Sequence, residues 1–171
     1  GNIMRDCNSA KKYWHFIKVM GRSASHVTLE CALQTHPNIT LIGEEVEAKN
    51  QTLDDVVTYI ADVVADRATR GMNYGVVLVP EGLIEFIPAI KALISELNDM
   101  LAANQKDFEM IADSKKIDYV LQHLSAPNAA IFRSLPETVS RQLALDRDPH
   151  GNVQVSLIDT EQLLAEMVGK K

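Results

Sequence analysis

The sequence lacks several features that would assign it to a specialised class of protein. Nowhere does it approach the roughly 18 consecutive apolar residues of a membrane-spanning helix, so we expect no membrane association. It has no long run of Lys or Arg, and 17 basic against 23 acidic side chains give a net charge of −6, which argues against nucleic-acid binding. It shows no secretory signal and has only two cysteines, Cys7 and Cys31, too few for a disulfide scaffold. These absences favour a cytoplasmic protein.

Familiar catalytic and metal-binding motifs are also missing. There is no GxGxxG or GxxxxGKS/T phosphate loop and no GxSxG nucleophile motif. The five histidines and two cysteines lack the spacing of metal ligands, so we expect no metal site within the chain. Ser23 and Ser25 lie beside His26, but sequence neighbours seldom form a catalytic pair, because such a pair needs a third orienting group. The sequence therefore offers binding residues but no evident catalytic base or nucleophile.

What the sequence does contain is enough apolar material for a folded domain. Of its 171 residues, 46% are hydrophobic, which argues against extended disorder and favours one domain, with or without an appended subdomain. The chain begins Gly-Asn-Ile rather than with methionine, and we expect it to be a piece of a longer protein.

The first hundred residues alternate between strand and helix patterns. Aromatic, β-branched or apolar runs predict strands at residues 13–19, 39–42 and 74–79, the second closed by Gly43. Helical spacing predicts a helix that ends before Pro37, a second after Thr52 that ends at Gly71, and a third over residues 86–101. The run at 74–79 is apolar without alternation, which is typical of a parallel strand covered on both faces. The sequence therefore predicts an α/β fold with an open parallel sheet and right-handed βαβ connections.

The pattern changes after Asn104. Short helices are predicted at residues 115–124, 126–133, 136–145 and 160–168, and alternation predicts a short strand at 153–155. We therefore predict two parts, an α/β part over residues 1–104 and a mainly helical insertion or subdomain over residues 105–171.

Two strand ends are the best candidates for a binding site. Ligands bind open α/β sheets at the carboxyl ends of the strands, where the sequence places Met20-Gly21-Arg22 and Pro80-Glu81-Gly82. Gly21 would let a ligand approach the backbone, Arg22 could bind a phosphate or hydroxyl, and Glu81 could accept hydrogen bonds from sugar hydroxyls. The alternative is a strand-to-helix turn in which Arg22 pairs with a glutamate at position 44 or 45.

A cationic and aromatic cluster, Lys11-Lys12-Tyr13, precedes the first predicted strand. It fits a solvated strand entry, and it also fits a phosphate contact, because a lysine ammonium binds phosphate as a point charge. Composition alone favours the first interpretation.

Several blocks in order closely resemble the phosphofructokinases that use pyrophosphate, and the resemblance covers nearly the whole chain. The blocks are KKYWHFIKVMGRSASH at 11–26, ECALQTHPN at 30–38, IGEEV at 42–46, VPEGLIEFIP at 79–88 and LDRDPHGNVQV at 145–155. The last block resembles the long-chain branch of that family.

This resemblance implies a fold, an activity and a set of roles. The fold is a three-layer, Rossmann-like parallel sheet with helices on both faces, followed by a helical insertion. The activity is reversible, Mg²⁺-dependent phosphoryl transfer from pyrophosphate to the 1-hydroxyl of fructose 6-phosphate, in glycolysis or gluconeogenesis. The family's MGR segment contacts fructose 6-phosphate, a role that falls on Met20, Gly21 and Arg22. The glutamate of its PEG segment, here Glu81, contacts the sugar.

The resemblance also implies a shared site. In the family a Lys-Tyr pair before the MGR segment reaches into the substrate site of a neighbouring subunit, and Lys12 and Tyr13 match that pair in type and spacing. We therefore expect a homo-oligomer in which one copy completes the fructose 6-phosphate site of another.

Parts of the family pattern are absent. The Gly-rich pyrophosphate and Mg²⁺ region, the motif with the catalytic aspartate and the later YEGR motif do not occur here. We therefore expect no catalytic or metal-binding residue within this chain, the Mg²⁺ site outside it, and no activity from the chain alone. The alternatives are a non-catalytic regulatory subunit of the same family and a stand-alone α/β ligand-binding module.

Overall fold

The computed structural model describes residues 5, 11, 13–20, 25–147 and 151–171. Contacts within the chain divide it into an α/β unit, Gly1–Ile87 with Thr160–Lys171, and a helical unit, Pro88–Asp159. In chain order the α/β unit contains β1 (Trp14–Val19), α1 (Ser25–Thr35), β2 (Ile39–Thr40), α2 (Gly43–Ala48), α3 (Leu53–Thr69), β3 (Gly75–Pro80) and α4 (Leu83–Phe86). The helical unit contains α5 (Pro88–Ala103), α6 (Gln105–Met110), α7 (Asp113–His123), α8 (Ala126–Ser134), α9 (Glu137–Leu145) and a 3₁₀ turn (Val155–Leu157), and α10 (Thr160–Gly169) returns to the α/β unit.

The strands form a parallel sheet in the order β1-β3-β2 across the described residues. β1 pairs with β3 from Trp14 opposite Gly75 to Val19 opposite Pro80. Every residue of β3 is buried, as expected of a central parallel strand. The predicted α/β fold with a parallel sheet is confirmed.

Helices cover both faces of this sheet. Alternate residues of a strand point to opposite faces. On one face Val76 and Leu78 of β3 pack with Cys31 and Ala32 of α1. On the other face Lys18 of β1 forms an ion pair with Glu161 of α10, at 3.5 Å between Nζ and Oε1.

The boundaries of α3 follow from local chemistry. The Thr52 side chain accepts a hydrogen bond from the Asp55 N–H at 3.1 Å, and the Asp55 carboxylate accepts one from the Thr52 N–H at 2.9 Å. These two bonds satisfy backbone donors at the helix start and hold the pKa of the Asp55 carboxyl below its usual range. Beyond the other end, Gly71 has φ +75°, a conformation that suits glycine. Both predicted boundaries of this helix are confirmed.

Three predicted elements were wrong in detail. The second strand is shorter than residues 39–42, and Gly43 begins α2 instead of closing a strand. The helix predicted over 86–101 is broken at Ile87, which is extended (ψ 110°) because the following Pro88 disfavours a helical conformation there. The strand predicted at 153–155 is one antiparallel bridge, from Val153 to Arg147, followed by the 3₁₀ turn.

The four helices predicted after residue 104 are confirmed to within a few residues, three of them in the helical unit and the fourth as α10 of the α/β unit. In the helical unit, a carboxylate from α5 binds the start of α8. Glu96 accepts hydrogen bonds from the N–H (2.7 Å) and hydroxyl (2.8 Å) of Ser125 and from the Asn128 amide. The contact division places α5 in the helical unit and α10 in the α/β unit, whereas the sequence suggested one boundary at residue 104.

Candidate functional site

The carboxyl ends of β1 and β3 place Met20 and Glu81 side by side. The Glu81 N–H donates to the carbonyl oxygen of Val19 at 3.1 Å, one step beyond the paired residues Val19 and Pro80. The Met20 side chain is 68% exposed, and Glu81 is half-buried. Two of the three segments singled out from the sequence therefore meet at one edge of the sheet, the edge where open α/β sheets bind ligands.

The backbone after β3 is held firmly where it carries Glu81. Gly82 is buried, and the next two residues, Leu83 and Ile84, are 0% and 1% exposed. The backbone that carries Glu81 therefore has little freedom of position. A carboxylate at this end of the sheet can accept hydrogen bonds from hydroxyl groups.

A close contact between Gly43 and Phe86 joins the segment after β3 to the segment after β2. A Cβ placed at Gly43 would lie 2.4 Å from the Phe86 ring, so only glycine fits there. Leu41, two residues earlier, donates its N–H to the Leu78 carbonyl at 3.0 Å. The segments that follow β2 and β3 are therefore packed together, a contact that no sequence pattern predicts.

Two acidic side chains lie near this edge among the described residues. Glu44 and Glu45 lie exposed in the first turn of α2, and Glu45 forms an ion pair with Lys49. Gly21 and Arg22 lie outside the described residues, so the predicted roles of Gly21 and Arg22, and the alternative pairing of Arg22 with a glutamate, stay predictions. A phosphate at this edge would need a cation, and Arg22 follows Met20 by two residues in the sequence.

Tyr13 lies at the opposite edge of the sheet. Its carbonyl oxygen accepts a hydrogen bond from the Gly75 N–H at 3.2 Å, at the amino end of β3. Since a parallel strand rises about 3.3 Å per residue, about 23 Å separates Tyr13 from Met20 along β1. The Tyr13 side chain is 56% exposed, and Lys12 lies outside the described residues. One copy of the chain therefore does not bring Tyr13 to the edge that carries Met20 and Glu81.

A cation and two aromatic rings form a cluster at the amino ends of β1 and β3. The guanidinium of Arg67, near the end of α3, lies 5.7 Å from the Trp14 ring centroid and 5.5 Å from that of Tyr74. The sequence pattern did not single out Arg67, and this cluster was missed.

Metal ligands do not converge in the part of the chain that the structure describes: no three His, Cys, Asp or Glu side chains there are placed to hold an ion. Nor does any helix in that part have the length and apolar character to cross a membrane.

The fold is that of an α/β protein with a parallel sheet, the class of fold in which ligands bind at the carboxyl ends of the strands. No protein-family profile matches the chain. It is 64% identical over its whole length to the pyrophosphate–fructose 6-phosphate 1-phosphotransferase of Porphyromonas gingivalis and 56% identical to that of Treponema pallidum. It is 53% identical, over 98% of its length, to a protein of Arabidopsis thaliana named as subunit beta 1 of this phosphotransferase.

These relatives are much longer than the chain, which covers 31%, 30% and 28% of their respective lengths. The chain thus spans about three tenths of the curated relatives it matches. The resemblance to the pyrophosphate-dependent phosphofructokinases is confirmed: the chain is similar, along its entire length, to one segment of these enzymes.

Proposed function

We propose that this chain is a segment of an enzyme that transfers a phosphoryl group from pyrophosphate to the 1-hydroxyl of fructose 6-phosphate, and that it supplies part of the fructose 6-phosphate site. The observation that carries the proposal is the hydrogen bond from the Glu81 N–H to the Val19 carbonyl, which places Glu81 next to Met20 at the carboxyl ends of the strands, in a chain 64% identical to a protein named for this reaction. The enzyme is cytoplasmic in this proposal and acts in glycolysis or gluconeogenesis.

The residues of this segment position the sugar phosphate rather than perform proton transfer. Glu81 accepts hydrogen bonds from sugar hydroxyls, Arg22 neutralises phosphate charge, and Met20 and Gly21 shape the backbone against the sugar. Phosphoryl transfer depends mostly on alignment and on charge stabilisation, so groups of this kind contribute to the rate without a covalent step.

A second copy of the protein completes the site in this proposal. Tyr13 lies just before β1, about 23 Å along the strand from Met20, a distance that one sugar phosphate does not span, and Lys12 precedes Tyr13 in the sequence. A neighbouring subunit could present its own Lys12 and Tyr13 there. The subunit designation of the Arabidopsis relative supports a multimeric assembly, and a homo-oligomer is the form we propose.

Mg²⁺ and pyrophosphate belong elsewhere in the longer protein. Because the described residues include no set of metal ligands, we assign no step through Mg²⁺ to this chain. A non-catalytic regulatory subunit is less well supported, since the P. gingivalis and T. pallidum relatives are named for the activity itself.

The test uses the full-length protein that contains this segment. We expect fructose 1,6-bisphosphate to form from fructose 6-phosphate with pyrophosphate, and much less with ATP. Arg22→Ala should raise the KM for fructose 6-phosphate about tenfold or more, as expected for loss of a charged phosphate contact, with the KM for pyrophosphate little changed. Absence of product with pyrophosphate, or a KM for fructose 6-phosphate that Arg22→Ala leaves unchanged, would contradict the proposal.

A further inference from the structure

Arg67 links the end of α3 to the starts of both neighbouring strands. Its Nε and Nη2 donate hydrogen bonds to the carbonyl oxygen of Tyr74 at 3.3 and 3.0 Å, just before β3. The same guanidinium lies within cation–π distance of the Trp14 and Tyr74 rings. Its own carbonyl accepts a hydrogen bond from the Met72 N–H at 2.9 Å, which fixes the backbone from which the side chain extends.

Trp14, the first residue of β1, connects Arg67 to Gly75 of β3 and to Tyr13, the residue before β1. Trp14 stands opposite Gly75, and a Cβ at Gly75 would lie 2.5 Å from the Trp14 ring, so the indole packs directly against the glycine. Gly75 in turn donates its N–H to the Tyr13 carbonyl at 3.2 Å. The backbone of Tyr13 is therefore held by contacts that run through Gly75 and Trp14 to Arg67.

We infer that Arg67 is a positioning residue for Tyr13, and so for the part of the fructose 6-phosphate site that one subunit offers to its neighbour. The inference rests on the proposed function, because it assigns Arg67 a purpose only where Tyr13 reaches a substrate in another copy. Arg67 acts through Trp14 and the strand start, and two of its donors already bind the Tyr74 carbonyl.

Arginine suits this position better than lysine. A planar guanidinium can stack on aromatic rings while two of its N–H groups point at one carbonyl, and an ammonium cannot do both. Arg70, one turn further along, shows the contrast, since it is exposed and forms an ion pair with Asp66 at 2.9 Å. Arg70 is therefore a matched control on the same helix.

The first experiment measures kinetics in the full-length enzyme with Arg67→Gln, Arg67→Lys and Arg70→Gln. We expect Arg67→Gln to raise the KM for fructose 6-phosphate about tenfold with kcat changed less than about twofold, because a misplaced Tyr13 weakens binding of ground state and transition state alike. Arg67→Lys should restore less than half of that loss, and Arg70→Gln should match the wild type. Equal kinetics for the Arg67→Gln and Arg70→Gln enzymes would overturn the inference.

The second experiment separates action on a neighbour from action within one subunit. Subunits carrying Arg67→Gln are co-expressed with subunits carrying Glu81→Gln, and hybrids are purified through two tags. If Arg67 serves the neighbour's site, one of the two sites in a purified hybrid dimer combines an intact Glu81 with an intact Tyr13 support, and activity at low fructose 6-phosphate rises above both parent variants. If Arg67 serves its own subunit's site, no hybrid site is intact and no rise occurs, which refutes the inference.

The outcomes stay distinguishable from failure of the proposed function and from simple unfolding. A wild-type enzyme that forms no fructose 1,6-bisphosphate refutes the proposed function, whereas the Arg67 inference fails only in an active enzyme. If the Arg67→Gln protein does not fold, Arg67→Lys takes its place in the hybrid with Glu81→Gln. A rise in activity above both parent variants then supports the inference, and no rise refutes it.

Discussion

The backbone N–H of Glu81 bonds to the carbonyl oxygen of Val19 at 3.1 Å, which places Glu81 beside Met20 at the carboxyl edge of the sheet. The two residues come from segments far apart in sequence, and the parallel register of β1 and β3 alone brings them together. Any ligand that touches the segment after β1 is thus within reach of a carboxylate from the segment after β3.

Replacement of that carboxylate should weaken sugar binding selectively. In the full-length enzyme we expect Glu81→Gln to lower kcat/KM for fructose 6-phosphate about tenfold or more, since a charge-assisted hydrogen bond contributes about 1.5–3 kcal/mol. Steady-state assays should show the KM for pyrophosphate little changed. Glu85→Gln, four residues further on, is the control, and equal effects of the two variants would rule out a substrate-binding role for Glu81.

The close packing of Gly43 against Phe86 makes a stability prediction. Gly43→Ala places a methyl group 2.4 Å from the aromatic ring, and overpacking of this kind costs about 1–3 kcal/mol of unfolding free energy. Urea unfolding of the chain should show this loss, and it should be smaller in the Gly43→Ala/Phe86→Leu double variant than the sum of the single losses.

Gly169→Ala is the control for this pair of variants, because nothing lies within 4 Å of a Cβ at that helical position. It should leave the chain at least as stable as the wild type. Two results would show that the Phe86 ring does not restrict the residue at position 43. One is a loss of unfolding free energy in the double variant equal to the sum of the single losses, and the other is a Gly43→Ala chain as stable as Gly169→Ala.

Those parts of the fold governed by local chemistry were predictable from sequence. The continuous apolar run before Glu81 predicted a central parallel strand, and Thr52 with Asp55 predicted the start of α3. What could not be predicted depends on tertiary contact. The helix that begins at Gly43 has no side-chain cap to mark its start in the sequence. Helix α6 buries none of its residues, so it shows no periodic apolar pattern.

The candidate site divides in the same way. Met20 and Glu81 could be named because strand ends are visible in the sequence and parallel strands share one carboxyl edge. Arg67 could not be named, because its three partners are a carbonyl and two rings that only the folded sheet brings together. An arginine in the last turn of a helix has an ordinary local explanation, which hides a second role.

The Glu96 carboxylate makes a prediction about pH. The hydrogen bond from Asn128, with those from Ser125, holds the pKa of Glu96 below its usual range, although partial burial acts in the opposite direction. A carboxyl whose pKa is lower in the folded than in the unfolded state stabilises the fold fully above its unfolded pKa, about 4.3, and loses that effect as the pH falls through its folded pKa.

We therefore expect Glu96→Gln to lower the unfolding free energy of the chain by about 1 kcal/mol at pH 7. The difference from wild type should shrink as the pH falls below about 4, where the wild-type carboxyl becomes protonated. Urea unfolding at a series of pH values measures both effects, with the exposed Asp99→Asn on the same helix as control. A difference that stays constant from pH 7 to about pH 3.5 would contradict a role for the charge.

The isolated chain should not carry out the proposed reaction. Its carboxyl edge offers groups that position a sugar, its described residues hold no set of metal ligands, and about 23 Å of strand separates its own Tyr13 from that edge. Alignment of fructose 6-phosphate without a proton acceptor, a metal ion and bound pyrophosphate leaves most of the transfer barrier in place. We expect a coupled assay for fructose 1,6-bisphosphate to give the same signal for the purified chain, for its Glu81→Gln variant and for buffer, while the full-length protein is active under the same conditions. Product formation that scales with the concentration of the chain and falls in the Glu81→Gln variant would show instead that these 171 residues contain the complete catalytic machinery.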